Sequence, residues 1–122
     1  MSYQVAMTET FAEMTERIRR FRDARDWRQF HEPKEMAVAI AAEAGELLQH
    51  FVWQSSEQSE DRMRLKRAEI VDEMADVAIL LFEFADNHDI NLAEAMRAKL
   101  LRNEERYPVA KSHGSNRKYN EL

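Results

Sequence analysis

The sequence predicts an all-α protein, a bundle of four helices, and two observations lead to this prediction. The 122 residues include only two glycines and two prolines, whereas a β-sandwich or a β-barrel needs many turn residues. Apolar residues recur at the three- and four-residue spacing of a helix face in successive segments. No linker or low-complexity segment separates these segments, so we expect one domain over residues 1–122, with a core of about 10–107 and a tail of 108–122.

The first two predicted helices cover about residues 11–27 and 33–53. Thr10 and Glu13 have the spacing of a capping box, in which each residue satisfies a free backbone N–H of the other. Pro33 suits the first helical position, because the backbone N–H that proline lacks would have no partner there. We therefore expect both helices to begin sharply at these residues.

The other two predicted helices cover about residues 60–87 and 92–106. The polar segment 54–59 breaks the apolar pattern before the third helix. Asn91 and Glu94 form a second candidate cap, and Pro108 stops the fourth helix. The tail of residues 108–122 contains Gly114 and two serines and is expected to form a loop.

Composition excludes several functional classes. The chain has no cysteine, which removes disulfides, thiolate metal sites and a thiol nucleophile. No apolar run approaches the roughly 18 residues of a membrane span, and the first ten residues lack the pattern of a signal peptide. We therefore expect a cytoplasmic protein without a membrane partner.

The net charge of −5 is unevenly distributed. Residues 1–96 hold 11 Lys and Arg against 20 Asp and Glu, whereas residues 97–122 hold 7 against 3. The acidic balance argues against binding to polymeric nucleic acid. The basic C-terminal stretch suits a smaller anion, and the alternative is an ordinary basic tail.

Two acidic pairs are the main candidate for a chemical site. Glu43 and Glu46 lie three residues apart in the second predicted helix, and Glu73 and Asp76 repeat that spacing in the third. A thirty-residue shift superimposes the pairs and the apolar stripes beside them. If the helices pack through these stripes, both pairs lie at one rim of the shared core.

Four converging carboxylates repel one another, and such a cluster either raises a pKa or requires a cation. Oxygen ligands without His or Cys favour Mg²⁺, with Mn²⁺ as a substitute. The sequence therefore predicts a Mg²⁺ site formed by Glu43, Glu46, Glu73 and Asp76. The alternative is that these acids are solvated flanks of amphipathic helices.

Longer motifs surround the acidic pairs, which read Glu-x-x-Glu, a 26-residue gap, then Glu-x-x-Asp. They are Arg25-Asp26-Trp27-x-Gln29-Phe30-His31-x-Pro33, Phe51-x-Trp53, Asn103-x-x-Arg106-Tyr107-Pro108 and Gly114-Ser115-x-Arg117-Lys118-Tyr119-x-Glu121-Leu122. Over roughly residues 15–122 the chain thus resembles the MazG-type superfamily of all-α nucleoside triphosphate pyrophosphohydrolases, and most closely its dCTP pyrophosphatase branch.

The resemblance implies Mg²⁺-dependent hydrolysis of a (deoxy)nucleoside triphosphate, with dCTP or a modified dCTP as the best candidate, to the monophosphate and pyrophosphate. Glu43 and Glu46 would be the candidate general bases beside the metal. The implied role is control of the nucleotide pool or removal of damaged nucleotides. A nucleotide sensor and a helical interaction module, neither of them catalytic, are the alternatives.

The resemblance also implies which residues bind the substrate. Trp27 and Trp53 would line the base pocket, because a base stacks on a large flat π surface. The alternative is packing, which is the commoner role of tryptophan. The other implied substrate-binding residues are His31, Lys99, Asn103, Arg117 and Lys118. A homo-oligomer is expected, with a tetramer favoured over a dimer.

Several other residues lead to further expectations. Two residues depart from the pattern of the dCTP pyrophosphatase branch: Leu80 stands where its members carry Tyr, and Ile18 stands where they can carry His. His50 lies beside the glutamates on its helix and is expected at the surface or an interface, with a contact to the acids as the alternative. Tyr119 is expected to anchor the tail by packing. The arginines of the first helix are expected to form a solvated face: Arg17, Arg19, Arg20, Arg22 and Arg25.

Overall fold

A computed structural model describes residues 9–122 of the protein. These residues form helices joined by turns, with no β-strand among them, so the predicted all-α class is confirmed. Two compact units divide the chain, one ending at Asp89 and the other spanning Ile90–Leu122. The absence of a signal peptide was predicted largely from residues 1–8, which lie outside the described part. No helix within residues 9–122 is long and apolar enough to cross a membrane.

Helix α1 spans Phe11–Ala24 and begins with the predicted Thr10–Glu13 capping box. It ends three residues before the predicted boundary, because Asp26 adopts a left-handed conformation with φ of 54°. The backbone N–H of Trp27 donates to the carbonyl of Arg22 at 3.1 Å, which closes the helix in a Schellman arrangement. A 3₁₀ turn, Arg28–Phe30, follows.

Helix α2 spans Pro33–Gln49, with proline in its first turn as predicted. The prediction extended this helix to residue 53, but the structure ends it four residues earlier. Phe51 donates its backbone N–H to the carbonyl of Leu48 in a turn, and Trp53 has a φ of 63°. The helix therefore closes in tight turns after Gln49, and the left-handed Trp53 prevents it from resuming.

The third predicted helix is two helices in the structure, α3 at Ser56–Leu65 and α4 at Arg67–Asn87. Helix α3 begins within the polar segment that was expected to be a break, because Ser55 and Gln58 form a reciprocal capping box. Lys66 interrupts the helical path with φ of −115° and ψ of 25°. The prediction missed both features because it placed the start of this helix where apolar spacing resumes and did not recognise the cap at Ser55.

Helix α4 is the central element of the first unit. It packs most extensively on α2 and also contacts α1 and α3. Buried side chains from three helices form a small core: Ile18, Met36, Ile70 and Ala85. Two charged side chains, Arg22 and Glu83, are buried with them.

The arginines of α1 do not form a purely solvated face, which corrects the expectation. Arg22 is buried, and its Nη1 donates to Oδ1 of Asn87 at 2.5 Å. Arg19 donates to Asp86 twice, from Nε at 3.0 Å and from Nη2 at 2.6 Å. The periodicity of α1 could not reveal these pairs, because their partners lie at the far end of α4.

In the second unit, helix α5 spans Leu92–Arg106 and begins with the Asn91 cap. The tail was expected to be a loop, but it contains helix α6, Val109–Ser112, and a 3₁₀ turn, Tyr119–Glu121. Pro108 ends one helix and begins the next, because its extended ψ of 140° and its missing N–H suit an N-cap. The expected anchoring role of Tyr119 agrees with its edge-on contact with Tyr107, at 6.0 Å between ring centroids.

Candidate active site

The two acidic pairs approach each other where α2 packs on α4. Glu43 is partly buried on α2, and the negative charges of Glu46, Asp76 and Glu73 all act on it. Burial raises the pKa of the Glu43 carboxyl above its ordinary value, and repulsion from Glu46, Asp76 and Glu73 raises that pKa further. The thirty-residue repeat therefore corresponds to one acidic cluster, which we call the carboxylate quartet: Glu43, Glu46, Glu73 and Asp76.

The quartet is not a finished metal shell. Within residues 9–122, no three His, Asp or Glu side chains are gathered closely enough to hold a metal ion. Oε2 of Glu43 is buried without a hydrogen-bond partner in the same part of the chain. A buried carboxylate oxygen without a donor is costly, and a cation would satisfy it.

A histidine side chain contacts one member of the quartet. Nε2 of His50 lies 2.5 Å from Oε2 of Glu73, and the two side chains are only 14% and 21% exposed. His50 itself is fixed through its carbonyl, which accepts a hydrogen bond from Nε of Arg62 at 3.0 Å. His50 therefore contacts one of the acids, which agrees with the alternative rather than with a position at the surface.

A pocket of about 510 Å³ opens beside the quartet, and Glu43 and Asp76 form part of its wall. The remaining lining is largely apolar and aromatic and comes from α1, α4 and the 3₁₀ turn: Met14, Arg17, Ile18, Phe21, Trp27, His31, Ile79, Leu80 and Glu83. This volume lies in the range of small-molecule sites. A flat apolar group would fit between these walls while a charged group reached the carboxylates.

Trp27 and His31, both predicted to bind the base, lie in this pocket. The Trp27 ring packs edge-on against Phe21, at 5.7 Å between centroids. Nδ1 of His31 lies 2.5 Å from Oε2 of the buried Glu83. The left-handed Asp26 turns the chain back after α1 and so directs both aromatic side chains toward the pocket.

Trp53 lies elsewhere in the first unit. Its side chain is 96% exposed and does not line the pocket that contains Trp27. The single chain therefore does not bring the two tryptophans together around one ligand. The predicted role of Trp53 in base binding stays a prediction.

The four predicted phosphate-binding residues belong to the second unit. Lys99 and Asn103 lie on one face of α5 and line a shallow depression of about 350 Å³. Arg117 lines an open cavity of about 1000 Å³ with Lys111, Gly114 and Leu122. Lys118 begins the final 3₁₀ turn, where its backbone N–H donates to Glu121 at 3.3 Å.

Sequence reasoning missed Glu83 and most of the α1 wall. Glu83 lies seven residues after Asp76, two helical turns along the same face of α4, so its spacing could have indicated a place near the quartet. Phe21 and Ile18 were assigned to an apolar stripe. Apolar spacing cannot distinguish a side chain that fills a core from one that lines a pocket.

Comparison with known proteins agrees with the resemblance found in the sequence. Residues 38–122 match the model of the MazG-like family. The chain is 37% identical over 104 residues to dCTP pyrophosphatase 1 of Mus musculus and 35% identical to that of Homo sapiens. The alignments cover 84% of this chain but only 61% of each relative, so the chain spans about three fifths of these curated proteins.

A solved structure extends the similarity to the fold. The crystal structure of a pyrophosphatase from Archaeoglobus fulgidus superimposes with a TM-score of 0.76 at 39% sequence identity. The match covers 80% of this chain and 91% of the archaeal one.

Proposed function

This chain belongs to the MazG-like family, and from that membership we propose that it hydrolyses a nucleoside triphosphate to the monophosphate and pyrophosphate. One observation carries the proposal. A cluster of four carboxylates borders a pocket with aromatic walls, so a base in the pocket would place its polyphosphate beside acids that suit a divalent cation. The relatives described above are all named as pyrophosphatases, which agrees with this reaction.

The residues present suit a divalent cation. The quartet offers only carboxylate oxygens, which Mg²⁺ and Mn²⁺ prefer, and the buried Oε2 of Glu43 lacks a donor within residues 9–122. Mutual repulsion opposes a closer approach of the four side chains, which supports a cation drawing them together. Mg²⁺ held by Glu43, Glu46, Glu73 and Asp76 would neutralise the triphosphate and acidify a water molecule.

The protein's own groups would supply the proton transfer. Glu43 and Glu46 are the candidate bases that take a proton from the water attacking the α-phosphorus. The position of Glu43 supports the choice of Glu43, because its side chain lines the pocket where the nucleobase would bind. The leaving group is pyrophosphate, and the P–O bond to the α-phosphorus breaks as the water oxygen bonds to it.

We assign the base to the pocket of Trp27 and His31. The substrate proposed is dCTP or a modified dCTP, because four curated relatives are named dCTP pyrophosphatase 1. Trp53 would add a second stacking surface. Lys99, Asn103, Arg117 and Lys118 would bind the β- and γ-phosphates, since point charges and amide groups suit phosphate oxygens.

Self-association is part of the proposal. Large apolar side chains stay exposed near the end of α2, including Leu48 and Trp53. Exposed apolar side chains that lie close together are typical of an interface. We therefore propose a homo-oligomer, with a tetramer favoured, that acts in the cytoplasm on the nucleotide pool or on damaged nucleotides.

Alanine substitutions in the quartet test the function. Glu46→Ala and Asp76→Ala should abolish pyrophosphate release from dCTP in Mg²⁺ while leaving the far-ultraviolet circular dichroism unchanged. Asp72→Ala is the matched control, because Asp72 is an exposed acid on the same helix outside the quartet. Full activity in either quartet variant would contradict the site assignment.

Thermal melts distinguish the two non-catalytic alternatives. A nucleotide sensor would be stabilised by Mg²⁺ with a non-hydrolysable triphosphate analogue but would release no pyrophosphate from dCTP. A helical interaction module would show neither stabilisation nor release. An enzyme should show both, because binding to the folded state raises the melting temperature.

A further inference from the structure

Glu83 is a buried carboxylate in the wall of the pocket, and the proposed reaction does not use it. Its side chain is 6% exposed, yet it lies among the residues that line the cavity. Buried charged side chains are costly unless partners stabilise them. The partners of Glu83 therefore indicate which part of the carboxylate is already satisfied.

Both partners of Glu83 use the same oxygen. Oε2 lies 2.5 Å from Nδ1 of His31 and 3.4 Å from Nδ2 of Asn87. Arg22 fixes the orientation of the Asn87 amide, because its Nη1 donates to Oδ1 of Asn87 at 2.5 Å and leaves the amide nitrogen directed at Glu83. Three elements, α1, α4 and the turn before α2, thus hold this carboxylate in place.

The second oxygen of Glu83 is free to accept. Among residues 9–122, no hydrogen bond ends on Oε1, and that atom is not one of the fully enclosed atoms that lack a partner. An ionised carboxylate only accepts hydrogen bonds, so it attracts an N–H group and repels a carbonyl oxygen. The other two carboxylates in the pocket wall, Glu43 and Asp76, belong to the quartet, and most of the remaining wall is apolar.

We propose that Glu83 is a specificity-determining residue, whose Oε1 accepts a hydrogen bond from the exocyclic amino group of the substrate base. The inference rests on the proposed function for the identity of the ligand as a nucleotide. A base that presents a carbonyl at this position places two acceptors against each other. Acceptance from a base amino group by Glu is an established mode of base recognition, and a well-placed contact discriminates between bases by about tenfold or more.

Turnover of two pyrimidine triphosphates tests the role of the residue. The wild-type protein should show a higher kcat/KM for dCTP than for dUTP. Glu83→Gln should reduce that ratio by about tenfold or more, because the amide can donate to the uracil carbonyl. Asp86→Asn is the matched control, since Asp86 also pairs α4 with α1 but does not line the pocket, and its ratio should equal that of the wild type. An unchanged ratio in Glu83→Gln would overturn the proposal.

Metal-free binding separates this inference from the catalytic one and requires no variant. Calorimetric titration of the wild-type protein measures its affinity for dCMP, for dUMP and for two derivatives of dCMP. The N4-methyl derivative keeps one amino hydrogen, and the N4,N4-dimethyl derivative keeps none. Affinity should fall about tenfold at the second methylation and little at the first. Such a step in a protein without turnover would support the role of Glu83 while refuting the enzyme. Equal affinity for dCMP and dUMP, or no step at the second methylation, would overturn the proposal.

Discussion

His50 and Glu73 form a direct contact between the end of α2 and the middle of α4, with Nε2 of His50 2.5 Å from Oε2 of Glu73. The contact places an imidazole beside a predicted metal ligand, from outside the cluster. Groups that support metal ligands in this way commonly account for a 10–100-fold difference in metal affinity. We therefore expect His50 to act as a positioning residue for the carboxylate quartet.

Replacing His50 tests this role. His50→Ala should weaken Mn²⁺ binding by about 10–100-fold, because Glu73 loses the group that restricts its rotamer. Calorimetric titration with Mn²⁺ measures the dissociation constant directly. His113→Ala is the control, since His113 is an exposed histidine in the second unit. Equal metal affinity in His50→Ala and the wild type would show that the contact has no positioning role.

The raised pKa of Glu43 predicts that the free energy of unfolding of the metal-free protein decreases as the pH rises. The folded state holds this proton more tightly than the unfolded state. The contribution of Glu43 to stability is thus complete below its ordinary pKa of 4.5 and is lost as the pH rises through the raised value. Glu43→Gln removes this loss, so its melting temperature should exceed that of the wild type at pH 7 without metal.

The same variant should release no pyrophosphate. Replacing Glu43 by Gln should therefore stabilise the metal-free protein and abolish its activity. Melts between pH 4 and pH 7 should show the gain growing with pH, whereas Glu104→Gln, at an exposed position on α5, should show no such trend. A metal-free Glu43→Gln protein that melts below the wild type at pH 7 would contradict the repulsion described here.

The Arg19–Asp86 pair predicts the opposite pH dependence. The hydrogen bond from Arg19 lowers the pKa of Asp86 below its ordinary value of 3.8. Its contribution is therefore present above that value and is lost as the pH falls through the lowered pKa. Asp86→Asn should reduce the free energy of unfolding by about 1 kcal/mol at pH 7, a modest figure because Arg19 is partly exposed.

Urea denaturation at pH 7 and pH 3 measures this difference. The deficit of Asp86→Asn should narrow at pH 3, which lies below the ordinary pKa of 3.8, so the carboxyl of the unfolded chain is largely protonated there. A deficit of equal size at both pH values would assign the loss to packing rather than to the ion pair.

The exposure of Trp53 predicts a separation of binding from folding. If Trp53 stacks on the base, Trp53→Ala should raise KM for dCTP by a factor of about 5–150, with a smaller change in kcat. The side chain touches little within its own chain, so the variant should keep its far-ultraviolet spectrum and, in dilute solution, its unfolding free energy within about 0.5 kcal/mol. Trp27→Ala is the comparison, since it also loses the Phe21 contact and should be less stable. An unchanged KM in Trp53→Ala would exclude stacking.

Local signals in the sequence predict much of the fold. The Thr10–Glu13 and Asn91–Glu94 spacings fix the starts of α1 and α5, because capping depends on residues three positions apart. The repeat of the acidic pairs after thirty residues predicts which faces of α2 and α4 meet, because packed helices bury equivalent apolar stripes.

Contacts between residues far apart in the sequence could not be predicted from these local signals. The pairing of His31 with Glu83 joins residues 52 positions apart, and the Arg19–Asp86 pair spans 67. Nothing local in either segment requires them. The left-handed residues that follow α1 and α2 are Asp26 and Trp53 rather than glycine, so the usual marker of a helix end is missing.

The most direct test of the proposed reaction follows the oxygen atom of water. Purified protein, dCTP and Mg²⁺ in ¹⁸O-labelled water should yield dCMP carrying one ¹⁸O atom together with unlabelled pyrophosphate, because water attacks the α-phosphorus. Asp76→Ala should yield neither product. Release of orthophosphate with dCDP, or the absence of any product across a panel of canonical and modified triphosphates, would contradict the proposed function.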